Sequence, residues 1–254
     1  MRFTLVAALA LFAAPAHAAP DDLITRPLVL PHNGLDVRLT AGIDVQYQRT
    51  TQILSLAPDL WWGISPRWTL GLIHSAASLD RIDALATLCV RDPASSPCTR
   101  LYEGGGLDVK YGALDGPLSV APRVRLLLRD TDPFKPAITL GAELRWTYGR
   151  FAIAGDPYVR LPLANHSLGN RAALFLPVWF EVQPARGWLA FLHTGYDATI
   201  AVLSDGSKIP FSLGVTARAT CALDLGFEAG WDALLGAQHD AKHGTVLLTA
   251  GWHR

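Results

Sequence analysis

The chain has 254 residues, of which 50% are hydrophobic and only 17% charged, and its 22 Lys+Arg and 22 Asp+Glu leave a formal net charge of zero. Soluble globular proteins carry charge on about a quarter of their residues, so the composition argues against an ordinary water-soluble domain. The balanced charge also removes the basic surface that nucleic acid would need. No phosphate-cradling glycine loop and no cofactor motif is present.

Residues 1–18 read as an export signal: Arg2, a largely apolar run, and Ala16-His17-Ala18 as a small-x-small cleavage site. The apolar run is too short to span a bilayer as a retained helix. Residues 19–34 contain Pro27, Pro31 and Gly34 without sustained alternation and read as a periplasmic leader into the first strand.

From residue 35 the pattern changes to a strict period of two. Leu35, Val37, Leu39, Ala41, Ile43 and Val45 alternate with Asp36, Arg38, Thr40, Gly42 and Asp44, so one face wants hydrocarbon and the other water. The same rhythm predicts twelve strands, over 35–47, 53–64, 67–76, 105–113, 118–129, 137–148, 151–162, 172–182, 188–198, 209–219, 222–232 and 244–254. Each approaches the roughly nine to eleven residues of a tilted membrane crossing. The predicted fold is all-β: a closed antiparallel up-and-down transmembrane β-barrel of about 12 strands over 35–254, in the bacterial outer membrane.

Connections near 65–67, 114–117, 148–150, 184–187 and 220–221 are short, whereas those near 77–104, 130–136, 163–171, 199–208 and 233–243 are mostly longer and more polar. Short turns on the periplasmic side and long loops outside give the orientation. Trp62, Trp68, Trp146, Tyr148, Phe151 and Trp188 gather beside the short turns, as an aromatic girdle at headgroup level requires. Pro58, Pro122, Pro157, Pro177 and Pro210 fall inside predicted strands, where local bulges are expected. Cys89 and Cys98 lie in one polar segment and are expected to form a disulfide stapling an external loop, leaving Cys221 as a free thiol.

The hairpin Leu60-Trp61-Trp62-Gly63-Ile64-Ser65-Pro66-Arg67-Trp68-Thr69-Leu70-Gly71-Leu72 resembles the aromatic-Gly, turn, alternating-apolar hairpin of small bacterial outer-membrane barrels of the transporter or porin-like type. The resemblance implies a location and an assembly route and carries no functional residue. Its implied partners are outer-membrane lipid and the barrel-assembly machinery. Such barrels usually end on an aromatic, whereas here Trp252 is followed by His253 and Arg254.

If the strands close in chain order, the inward charges sort onto two walls. One carries Arg123, Arg125, Arg129, Arg145 and Arg160, with Glu143 and Asp156 among them; the other carries Asp224, Glu228, Asp232, Asp36 and Asp44, with Arg38. A field across the lumen is expected, and twelve strands give a backbone diameter of about 24 Å. The function expected is a passive channel for a small polar solute, hydrophilic or zwitterionic. Three alternatives stay open: a closed barrel whose charges pair and fill it, an adhesion or scaffold barrel acting through residues 79–104, and a lipid hydrolase using His74. The last is weakened because Ser75 points inward, away from His74. His166-Ser167 reads as a solvated loop pair, and His239 and His243 lack a third metal ligand.

Overall fold

The computed structural model describes residues 22–45, 54–74, 88–90, 104–131, 133–241 and 244–254. The export signal and residues 19–21 therefore lie outside the described residues. The strands in chain order are β1 (Leu35–Asp44), β2 (Leu54–Ser65), β3 (Trp68–Ile73), β4 (Leu88–Val90), β5 (Gly105–Tyr111), β6 (Leu118–Thr131), β7 (Phe134–Tyr148) and β8 (Phe151–Gly155). They continue with β9 (Tyr158–Pro162), β10 (Ala173–Phe175), β11 (Val178–Ala185), β12 (Trp188–Thr194), β13 (Asp197–Thr199), β14 (Ile209–Thr220), β15 (Leu223–Leu235) and β16 (Gly244–His253).

Hydrogen-bonded neighbours run β1-β2-β3-β5-β6-β7-β8-β11-β12-β14-β15-β16 and return to β1, which makes twelve antiparallel staves in chain order. Closure is made at the chain end, where Leu35 and Arg254 exchange backbone hydrogen bonds of 2.8 Å in both directions. This ring closes the sheet on itself, the condition for a sheet to cross a membrane, and toward the long loops a branch continues from β7 through β9 and β10 to β13, which meets Lys208 at Asp197. The short β4 pairs with the start of β2 beyond the end of β3.

The alternation decides which way the sheet faces. Arg125 is 2% exposed and its neighbour Leu126 50%; Thr139 is 1% and Leu140 48%; Ser212 is 7% and Leu213 56%. Aliphatic residues thus coat the outside and polar ones line the inside. At the short-turn end, Trp62, Trp68, Trp146, Tyr148, Phe151 and Trp188 are all exposed on the outer surface. Trp68 and Tyr111 pack at 4.8 Å between ring centroids.

Three predicted strands are broken at mid-height. Strand 151–162 splits into β8 and β9 around Asp156-Pro157, 172–182 into β10 and β11 around Leu176-Pro177, and 188–198 into β12 and β13 around Gly195-Tyr196. The breaks lie side by side: Asp156 N–H donates to the Pro177 carbonyl at 3.4 Å, and Leu176 N–H to the Tyr196 carbonyl at 2.9 Å. Pro210 produces the expected bulge, with the β14–β15 register shifting between Ile209 and Phe211. Pro58 and Pro122 do not: β2 pairs with β1 through Pro58, and β6 with β7 through Pro122. The Pro58 carbonyl turns away from β1 toward His74 Nδ1, 2.6 Å away, so the missing N–H falls between the β3 and β4 contacts, where no ladder needs it.

The loop expected over 130–136 is also shorter than predicted. β6 and β7 extend until Thr131 faces Phe134, helped by the Lys135–Asp130 ion pair at 3.4 Å.

Candidate functional site: the barrel interior

The register that pairs β5, β6 and β7 sets Asp108 opposite Arg125, Lys110 opposite Arg123, and Arg123 opposite Gly141. Side chains on adjacent staves stand within reach of one another, and the arginines use that reach. Arg123 donates through Nε and Nη2 to the two Asp108 oxygens at 2.8 and 2.7 Å, and through Nη1 to Glu143 at 3.0 Å and Asp156 at 2.7 Å. Arg125 reaches the same Asp156 oxygen at 2.9 Å, while Lys110 holds both Glu143 oxygens at 2.8 and 3.0 Å.

Aromatic rings brace this network. Trp61 donates Nε1–H to Asp108 at 2.9 Å and lies between the Arg38 guanidinium and the Lys110 ammonium, 5.3 and 5.6 Å from its ring. Arg125 stacks 4.2 Å over Tyr158, and Arg160 5.3 Å over Phe175. The space for these rings comes from glycine on the next stave: a Cβ on Gly71 would sit 2.5 Å from the Trp61 ring, and one on Gly141 2.5 Å from Tyr158 Cβ.

The remaining arginines of this wall also have local partners. Arg129 donates to Asn170 at 3.2 Å, Arg160 Nε to the Arg171 carbonyl at 3.1 Å, and Arg145 to the Arg26 carbonyl at 2.8 Å while lying 3.7 Å from Glu181.

The facing wall is built the same way. His253 stands 2.8 Å from Asp224 and 3.6 Å from Asp36, and Arg218 is 3.6 Å from Asp224. Glu228 accepts from Ser212 and lies 3.3 Å from His193, whose ring stacks on Trp179 at 4.6 Å. Lys208 reaches Asp232 at 3.5 Å. Asp44 belongs to the inward phase of β1, and its side chain lies outside the described residues.

The sequence sorts these residues onto a mainly basic wall that includes Glu143 and Asp156 and a mainly acidic wall that includes Arg38. In the structure these charges pair within their own wall, because a neighbouring stave brings a counter-ion into hydrogen-bond range whereas the far wall lies across the lumen, and attraction weakens with distance. Asp108, Lys110, Glu181, His193, Lys208 and Arg218 complete the pairing and are residues the sequence reading passed over. Asp108 and Lys110 alternate with Leu107, Val109 and Tyr111, so period two alone carried the signal for them.

Residues 22–34 lie inside the barrel mouth at the short-turn end. Leu23 and Ile24 are 4% and 2% exposed. Arg26 pairs with Asp224, and Leu30 packs against the buried cluster of Trp61, Ile73, Leu127 and Ala137. No periodic signal marks this segment in the sequence.

His74 donates its backbone N–H to Asp59 at 2.5 Å, and Ser75 lies outside the described residues. Among the described residues no group of His, Cys, Asp and Glu is arranged to hold a metal ion; His243 and Cys98 lie outside them, as does the side chain of Cys89. Cys221 is an exposed free thiol.

The fold and its inward polar network define the class: a closed twelve-stranded antiparallel β-barrel with an aliphatic exterior and a polar interior, the fold of small outer-membrane barrels. No family model and no curated protein matches the sequence. Among solved structures, the chain is similar to the NanC porin, with a TM-score of 0.59 at 8% identity over 86% of this chain and 98% of that one. It is likewise similar to the KdgM porin in complex with disordered oligogalacturonate, with a TM-score of 0.54 at 8% identity over 86% and 98% of the two chains.

Proposed function

We propose that the protein is a passive outer-membrane channel for small hydrophilic or zwitterionic solutes. One observation carries the reading: charged side chains inside the ring keep solvent exposure beside tightly packed pairs. On the β5–β7 side, Asp108 and Arg125 are 0% and 2% exposed, while Glu143 beside them is 21% exposed. Toward β1, β12 and β15, the Arg38 side chain is 47% exposed, Glu228 25% and His193 22%, beside Arg218 and Asp224 at 9% and 8%. A path bordered by both signs of charge, with paired counter-ions behind them, suits polar solutes of low net charge. The similar folds called porins support the channel reading.

Single-channel recording in planar bilayers tests this. Discrete unitary currents are expected, and a membrane that stays at its bare conductance would refute the proposal. The closed-barrel alternative draws on the ion-pair network of β5–β7, and the same recording decides it.

Cys89 and Cys98 are proposed to staple the external loop, and Trp252, in the last stave, is proposed as the aromatic that the assembly machinery reads.

A further inference from the structure

We propose that residues 22–34 form a built-in strap that sets the aperture of the short-turn mouth, with Arg26 as its clasp; the inference rests on the channel reading above. The segment crosses the mouth from one stave to the opposite one, since β11 and β2 stand half a ring apart. On the β11 side Ile24 N–H donates to Gln183 Oε1 at 3.1 Å, and Gln183 donates in turn to Asp22. At midspan Arg26 donates to Asp224 and lies 3.2 Å from His253 Nε2, while its carbonyl accepts from Arg145 at 2.8 Å. On the far side Leu30 N–H donates to Thr69 Oγ1 at 2.8 Å, and Asn33 N–H to the Gly63 carbonyl at 2.7 Å.

Three features make this a device rather than a lead-in. Leu23 and Ile24 are buried and Leu28, Val29 and Leu30 half-buried in a mouth that would otherwise hold water, so the segment occupies cross-section a solute would need. None of it belongs to a strand; it is held by separated single ties, and such segments open at lower free energy than a laddered sheet. The clasp is also incompletely used, because Arg26 Nε and Nη2 have no hydrogen-bond partner among the described residues, which favours release over permanent burial.

The barrel wall has been shaped to admit the strap. A Cβ on Gly63 would stand 1.9 Å from the Pro31 carbonyl oxygen and 2.9 Å from that of Leu30, and the three atoms nearest to it all belong to the strap backbone. Gly63→Ala should therefore lift the strap and leave the staves in register.

The experiment compares the wild type with Gly63→Ala and Arg26→Ser, each refolded as the full chain, with folding verified by heat-modifiable electrophoretic mobility. Unitary conductance is recorded in planar bilayers. In parallel, Leu23→Cys is placed in each chain with the three native cysteines changed to Ser, and its labelling by an aqueous maleimide is timed. We expect conductance to rise about twofold or more and labelling about tenfold in both variants. Wild-type current that the variants leave unchanged, or labelling that they do not accelerate, overturns the strap alone. Silence from every chain overturns the strap and the channel reading together.

Discussion

Arg123 and Asp108 are 15 residues apart in sequence and meet through two parallel hydrogen bonds of 2.8 and 2.7 Å, with the carboxylate entirely shut off from solvent. This fork is the centre of a network that also takes in Glu143, Asp156, Lys110 and Trp61. Removing one member leaves the others charged and desolvated.

Arg123→Met should consequently lower stability by about 3–5 kcal/mol, as loss of one partner from a buried ion pair does. Combining it with Asp108→Asn should cost less than the sum of the two single changes. Urea unfolding in detergent or lipid, followed by tryptophan fluorescence, measures the cycle.

The lipid-facing phase predicts a dependence on depth. Val124, 42% exposed near the middle of β6, should tolerate arginine poorly, at about 2–4 kcal/mol, whereas Leu118, 50% exposed at the short-turn end, should tolerate it at about 0–1 kcal/mol. Equal penalties in reversible unfolding from vesicles would contradict the assigned membrane span.

Arg38 is the inward cation whose side chain is 47% exposed, so it faces the proposed path with little shielding. Arg38→Ala should shift the reversal potential measured across a salt gradient toward cation preference, while Arg125→Lys, behind the packed wall, should leave selectivity close to that of the wild type. Identical reversal potentials for wild type and Arg38→Ala would place the path elsewhere.

Alkylation of the unreduced, unfolded chain followed by mass measurement should tag one thiol, Cys221, and reduction beforehand should allow all three to react. Three tags without reduction would remove the proposed staple between Cys89 and Cys98.

Gly214→Leu should perturb the interior without disturbing the outer surface, because a Cβ there would lie 2.1 Å from the end of the Phe191 ring. The ring must swing into the lumen, so unitary conductance should fall while the folded mobility on gels is retained.

The architecture could be read from residues taken two at a time. Leu35 against Asp36, or Leu126 against Arg125, assigns every side chain to lipid or lumen, because a strand has only two faces and a one-residue slip would expose the whole inward set to hydrocarbon. Turn chemistry was legible for a similar reason: Gly149 and Gly187 take φ of 59° and 71° in the two-residue turns after β7 and β11, where side-chained residues are strained. The partners of the inward charges were not legible. Whether Arg123 meets Asp108 or an acid on the far wall depends on the register and stagger of separate staves, and stagger leaves no mark in local periodicity. The breaks beside Asp156, Leu176 and Gly195 lie side by side across three staves, an alignment that only the register between them sets. The strap follows the same logic: Ile24 and Arg26 form no repeating pattern, and only a closed barrel supplies Gln183, Asp224 and Thr69 around one mouth to receive them. Local alternation fixes which solvent each side chain meets, while closure of the ring decides which side chain meets which.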